Sequence, residues 1–310
     1  MKFSGQKAFD IAKANHDRLM PQWTSNRADY PIVPHKPKFK LPLTGKYFTI
    51  GSCFARNVEN SLRAAGINVL STIDKLPGDY FEIGGESRSG YQNVYTPGAI
   101  LEAVNLATTE NPYSAIVGSE EKSIDLLTSG LKPLDLRTVS NIRDSLVTMY
   151  KKLSESDALI ITLGYNESWY HLPSQTYINR TPSHVSLRRT IEEFEFELLD
   201  YAKSYELVDS AINRVHELAP DCKVILTVSP VPLSATFSNK DIVTANQLSK
   251  STLRVIASAI SEKHAHVDYF PSYEIIMNSE RSKTFLEDGI HVRAEAVNNV
   301  IRQFKDLYLS

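Results

Sequence analysis

The sequence predicts an α/β fold, in which a mostly parallel sheet of about five strands is covered by helices on both faces. Two observations predict it. Short, nearly continuous apolar runs alternate with longer amphipathic stretches, and a continuous apolar run is what a strand buried on both faces requires. The residues with the most distinctive chemistry follow the C-terminal ends of those runs, where sheets of this kind hold their ligands.

Taken in order, residues 5 to 20 ("GQKAFDIAKANHDRLM") place Ala8, Ile11, Ala12 and Leu19 at near-helical spacing. The segment "YPIVPHKPKFKLPLTG" then carries four prolines, which remove amide donors and fix φ, so an extended arm lying on the domain is expected there. Residues 1–44 therefore read as an N-terminal helix and Pro-rich arm, and residues 45–310 as the main domain. "KYFTIG" (46–51) is the first strand. Phe54, Val58 and Leu62 then recur every fourth residue along a helix that Gly66 ends, and "INVLS" (67–71) is the second strand. The loop-rich stretch 72–96 has the glycines and single polar groups of a site loop, and a helix starts at Pro97. "DALIITLG" (157–164), "KVILTVS" (223–229) and "HVDYF" (266–270) complete the strands. Helical patterns cover about 138–154, 187–218, 241–263 and 293–308.

Composition bounds the function. With 310 residues, 42% of them apolar and 23% charged, the chain is that of an ordinary globular protein. A formal charge of −2 offers no broad basic field for a nucleic acid, although Lys36, Lys38 and Lys40 form a small cluster. The start lacks the apolar segment of a secretion signal, and no run approaches the roughly 20 apolar residues needed to span a bilayer. A cytoplasmic protein is expected. Cys53 and Cys222 are too few for a disulfide framework and are expected to be free thiols. Nothing in the sequence specifies an oligomeric state.

Three segments carry chemistry. "IGSCFA" lies on a strand-to-helix corner, where Gly51 permits a tight turn and the helix amides favour an anion, so the Cys53 thiol should titrate below a free one. Cys53 also fits the part of a small buried hydrophobe. "TLGYNESWY" places Asn166 beyond a strand end after Gly164, as an oxyanion donor or simply as a turn residue. "EDGIHVRAEAV" sets Asp288 three residues before His291, a spacing at which the carboxylate can orient the ring of a general base. "TVSPVPL" contributes rigid shape rather than chemistry. "HAHVD" offers His264, His266 and Asp268 on alternate positions, a pattern that fits a metal site but fits a core strand better. No metal and no cofactor is expected. A nucleotide turn is disfavoured because the Gly-x-Gly-x-x-Gly pattern is missing after Gly51.

In this order the segments resemble the SGNH or GDSL-type hydrolase superfamily, and more closely its GSCFA relatives, named for the stretch that stands here as Gly51-Ser52-Cys53-Phe54-Ala55. The resemblance runs from about residue 45 to 305. The superfamily's Gly-x-Asn-Asp/Glu turn is matched by "GYNE" and its Asp-x-x-His pair by "DGIH". It implies a three-layer α/β/α sandwich with flavodoxin-like strand order. It also implies that Cys53 stands on the position of the nucleophilic serine, with Ser52 as the neighbouring second choice. The superfamily's second-block glycine has no clear counterpart in "GYQNVYTPG", where Gly90, Asn93 and Gly98 are the candidates.

The expected chemistry is acyl transfer. His291, held by Asp288, takes the proton of Cys53, the sulfur attacks an acyl carbonyl, and Asn166 with backbone amides holds the oxyanion. The resemblance implies O-acyl esters, and relatives in bacteria point to a carbohydrate, for example an acetylated glycan, as the substrate of an esterase or O-acyltransferase. Glu167, Trp169, Tyr170 and His171 are candidates to line the pocket, an aromatic face beside polar groups suiting a sugar ring. The alternative is a catalytically inactive glycan-binding protein on the same fold.

Overall fold

The computed structural model describes residues 2–14 and 30–310. Five parallel strands form its central sheet: β1 (Lys46–Gly51), β2 (Asn68–Val69), β5 (Ala158–Leu163), β9 (Lys223–Val228) and β10 (Val267–Tyr269). Their order is β10-β9-β5-β1-β2. Chain order therefore reverses between β1 and β5, the switch point at which sheets of this kind open a crevice. Alternation along the strands divides the core in two. Phe48, Ile50, Leu159, Ile161, Leu163, Val224, Leu226 and Val228 pack on one face, and Tyr47, Ala158, Ile160 and Ile225 on the other.

Among the described residues the helices of nine residues or more are, in chain order, α1 (Gly5–Ala14), α2 (Cys53–Ala64), α3 (Pro97–Asn105), α4 (Leu136–Lys151), α5 (Tyr201–Leu218), α6 (Ile242–Lys263) and α7 (Ala294–Tyr308), and α2 to α7 cover both faces of the sheet. Helices α3 to α6 supply Ile100, Ile142, Val208 and Ile256 to the first core. Helices α2 and α7 supply Phe54, Val58, Leu62, Val300 and Phe304 to the second. Polar N-caps start most of them: Ser52, Thr96, Asp135, Asp200 and Asp241 each accept a hydrogen bond from an amide of the first turn.

The N-terminal helix is seen over Gly5–Ala14 and buries none of its residues, and the part expected at 15–20 lies outside the described residues. The proline-rich arm runs along the sheet edge. Asp268 of β10 accepts hydrogen bonds from the Lys38 amide (3.0 Å) and the Tyr308 hydroxyl (2.9 Å), and lies 3.2 Å from His35 Nε2. Leu41 bridges to Leu309.

One expected element is corrected. The helix anticipated over 187–218 begins only at Tyr201, because "FEFEL" is used as strand β8 (Phe194–Leu198). It pairs antiparallel with β6 (Glu167–His171), which also pairs with β7 (Thr176–Ile178). A further hairpin joins β3 (Ile116–Gly118) to β4 (Ser123–Asp125). Among the described residues no helix is long and apolar enough to cross a membrane.

Candidate active site

At the switch point, Gly51 closes β1 opposite Thr162 of β5, and α2 starts two residues later. Gly51 has φ +148°, and a Cβ there would lie 2.8 Å from both Cβ and O of Thr162 and 3.0 Å from Ala55 Cβ. Both backbone conformation and space exclude a side chain. Gly51→Ala is expected to cost about 2–3 kcal/mol, read as a lower urea midpoint at unchanged slope. The corner is also pinned from beneath by a buried network. Glu59 Oε2 accepts from Arg56 Nη1 (2.5 Å), Thr49 Oγ1 (3.0 Å) and Ser71 Oγ (2.9 Å), joining α2 to the ends of β1 and β2.

Ser52, Cys53 and His291 line one cleft of about 400 Å³ together with Gly164, Tyr165, Tyr95, Asn179 and Arg180. Ser52 is the buried N-cap: its hydroxyl accepts from the Phe54 amide and donates to Ser229 Oγ, both at 3.4 Å. Cys53 is half-buried and free, and Cys222 is free and buried. The expected lowering of the Cys53 thiol is reversed. Burial pushes it up, and this outweighs the amides of Phe54 and of Cys53 itself, the Ser52 hydroxyl and the charge of Lys250, all of which pull it down.

Across the cleft, Asp288 and His291 are joined as the spacing predicted. Nδ1 of His291 lies 2.6 Å from Asp288 Oδ2, and Asp288 Oδ1 accepts from the amides of Ile290 (2.8 Å) and His291 (3.0 Å). These bonds hold the aspartate down to about 2, the one from the His291 ring weighing most. Both side chains are open to solvent, and among the described residues no hydrogen bond links the imidazole to Cys53.

Asn166 is not brought to this cleft. Its Nδ2 donates to Leu199 O (2.7 Å), its amide donates to Ser249 Oγ (2.9 Å), and its own carbonyl accepts from the Leu199 amide (3.0 Å). The carboxamide satisfies a buried carbonyl between β8 and α5 instead of pointing beyond the strand end. Gly164 does line the cleft; a Cβ there would meet Tyr95 O at 2.6 Å. Asn93 is buried behind the wall, its Nδ2 donating to the Tyr95 hydroxyl (3.3 Å), while Gly98 packs against the Tyr177 ring. Gly90 opens a short turn that ends at Asn93.

Glu167 and Trp169 line an adjoining cavity of about 110 Å³ that shares Tyr165, Asn179, Arg180, Thr181 and Ser234 with the main cleft. The Glu167 carboxylate accepts from the Thr236 hydroxyl (2.5 Å) and the Phe237 amide (2.8 Å), fixing the loop after β9. Trp169 sits edge-on to Phe237, with ring centroids 5.3 Å apart. Tyr170 packs on Tyr177, and His171 is bonded to Ser174. The "HAHVD" side chains take separate partners: His264 binds Asp209, His266 stacks on His216, and Asp268 holds the arm.

Two site residues carry no motif. Arg180, in the loop after β7, reaches Glu82 (2.5 Å) and Leu131 O (3.0 Å), tying the cleft wall to the loop between β2 and α3 and to the one between β4 and α4. Lys250 lies on α6, fully buried, with Nζ donating to Gly164 O (2.7 Å). Its position three and seven residues before Leu253 and Ala257, on the buried stripe of α6, was the signal available for it.

The family whose sequence pattern matches the chain is the GSCFA family, over residues 46–304. Among solved structures, the chain aligns with a family 3 carbohydrate esterase of Clostridium thermocellum at 11% identity, covering 85% of this chain and 94% of that one, with a TM-score of 0.38. It also aligns with a carbohydrate esterase family 3 protein from Talaromyces cellulolyticus at 10% identity, covering 85% and 95%, with a TM-score of 0.39. No curated protein matches the chain.

Proposed function

The chain belongs to the GSCFA family, and from that premise we propose that it is an acyl-transfer enzyme, an esterase or O-acyltransferase acting on O-acyl esters of a carbohydrate. One observation carries the reading: a half-buried thiol at a helix start and an aspartate-held imidazole line the same cleft. Cys53 attacks the acyl carbon as thiolate. The carbonyl π electrons move to oxygen, and the helix start of α2 is the donor end that faces the negative charge so formed. As the C–O bond breaks, the His291 imidazolium protonates the departing oxygen. In the second half-reaction neutral His291 takes a proton from water or an acceptor hydroxyl, the acyl group leaves sulfur, and both thiolate and imidazolium are restored.

Cys53 is preferred over Ser52 because the serine hydroxyl is committed to its cap and to Ser229. The sugar reading is supported by the adjoining cavity, where the Trp169 ring and the polar groups of Asn179, Arg180 and Thr181 offer a stacking face beside hydrogen-bonding partners. The engagement of Asn166 with Leu199 favours a second reading, a glycan-binding protein without turnover. Mass spectrometry after brief exposure to an aryl acetate separates them. An acetyl mass on the peptide containing Cys53, lost in Cys53→Ala, is expected, and its absence under conditions that label free thiols would sink the proposal.

A further inference from the structure

The wall of the cleft holds an ion pair that the proposed acyl chemistry does not use. Arg180 reaches Glu82 through Nη2 at 2.5 Å and Leu131 O through Nη1 at 3.0 Å, and its side chain is 4% exposed. Both members of the pair line the main cleft, and Arg180 also lines the adjoining cavity. Their hydrogen bonding is incomplete. Nε of Arg180 is buried without a partner, and among the described residues nothing bonds the second carboxylate oxygen of Glu82. Asn179, which lines both cavities beside Arg180, repeats the pattern: its Nδ2 donates to Asn93 O and Leu127 O, which fixes the amide, and its buried Oδ1 has no partner. Buried polar atoms left unpaired are costly, so this stretch of wall favours a bound group that both donates and accepts. A hydroxyl does both, whereas an ionised carboxylate only accepts.

Charge points the same way. Apart from His291, the charged side chains lining the two cavities are one guanidinium, Arg180, against two carboxylates, Glu82 and Glu167. Asp125, whose charge also reaches Arg180, is paired with Arg143. With Glu82 already opposing the guanidinium, an acidic ligand finds no net attraction to offset the water it gives up. We infer that Arg180 and Glu82 form one specificity element that admits an uncharged sugar ring and rejects a sugar acid: ring hydroxyls accept from the guanidinium and donate to Glu82, whose charge repels a carboxylate. The inference rests on the reading of the cleft as a carbohydrate site, and it names the class of ring that enters. Neither residue acts on the acyl group.

The test is calorimetric binding of methyl glycosides to the full chain, with those of glucose, galactose and mannose each compared with the glycoside of the corresponding uronic acid. At least one neutral glycoside should bind about 10-fold or more tightly than its acid. In Glu82→Gln, which keeps the shape and an acceptor but leaves the guanidinium unopposed, that ratio should fall to about 1 or invert. Arg180→Gln should weaken the neutral glycoside by about 10-fold without improving the acid. Arg180→Lys, which retains a charge for Glu82, should recover part of that loss, and it stands in for Arg180→Gln should that variant fold poorly. Equal affinity for both members of every pair, or a ratio unchanged in Glu82→Gln, would overturn the inference and leave the carbohydrate reading standing. No binding by any glycoside would remove both. Binding requires no acyl transfer, so the preference can fail while acetyl-Cys53 is still found, and the reverse.

Discussion

His291→Ala is expected to lose about 10²–10⁴ of kcat/KM on an acyl ester, the range that a positioned acid–base group contributes. Cys53→Ala is expected to abolish turnover and acyl-enzyme together. The argument runs through the orientation of the ring. With Nδ1 committed to Asp288 at 2.6 Å, Nε2 is the nitrogen left for the cleft that the ring lines. Asp288 is held to about 2 by the His291 ring and two backbone amides, so it stays ionised at every working pH. An acid limb in the rate between about pH 4 and 8 therefore belongs to another group, and its midpoint should be insensitive to salt-induced changes at Asp288. Initial rates on an aryl acetate, measured for both variants across that range, decide the matter. A binding protein without turnover would show the same background rate in wild type and in His291→Ala, and that outcome would remove the enzyme reading while leaving the cleft as a glycan site.

What the sequence made legible follows from what each element has to satisfy locally. The strand "KYFTIG" and the helix stripe Phe54, Val58 and Leu62 agree with one another, and the structure uses them at the expected bounds. The pair Asp288 and His291 was legible because its geometry is set within four residues. The stretch 187–218 was misread because Leu187, Phe194, Leu198 and Ala202 fall at spacings a helix also permits, whereas the alternation in "FEFEL" became decisive only through pairing with β6. Asn166 shows the opposite failure. The tetrapeptide "GYNE" has the right letters, but the direction of its carboxamide is fixed by Leu199, thirty-three residues away. Likewise the thiol of Cys53 responds to burial contributed by loops that share no sequence neighbourhood with it, and these outweigh the local helix end.

Replacing Lys250 by Met should stabilise the fold, an outcome opposite in sign to that of removing an ordinary structural lysine. Lys250 keeps its proton to about 10.5 when unfolded but is lowered to about 7 by burial in the native state. Between those values the unfolded chain binds more protons, so wild-type stability rises with pH across that window, and the penalty is fully present below about pH 7. The buried charge costs roughly 3–5 kcal/mol at pH 6, offset in the variant by about 1–2 kcal/mol for the unsatisfied Gly164 carbonyl. Lys250→Met should thus be more stable than wild type by roughly 2–3 kcal/mol at pH 6, with the difference shrinking toward pH 10. Urea unfolding at several pH values, repeated in a Cys53→Ala background to remove the thiol's own titration, measures this directly. A Lys250→Met protein that is less stable than wild type at pH 6 would mean that the ammonium is already compensated in the native state, and the cost assigned to its burial would then be wrong.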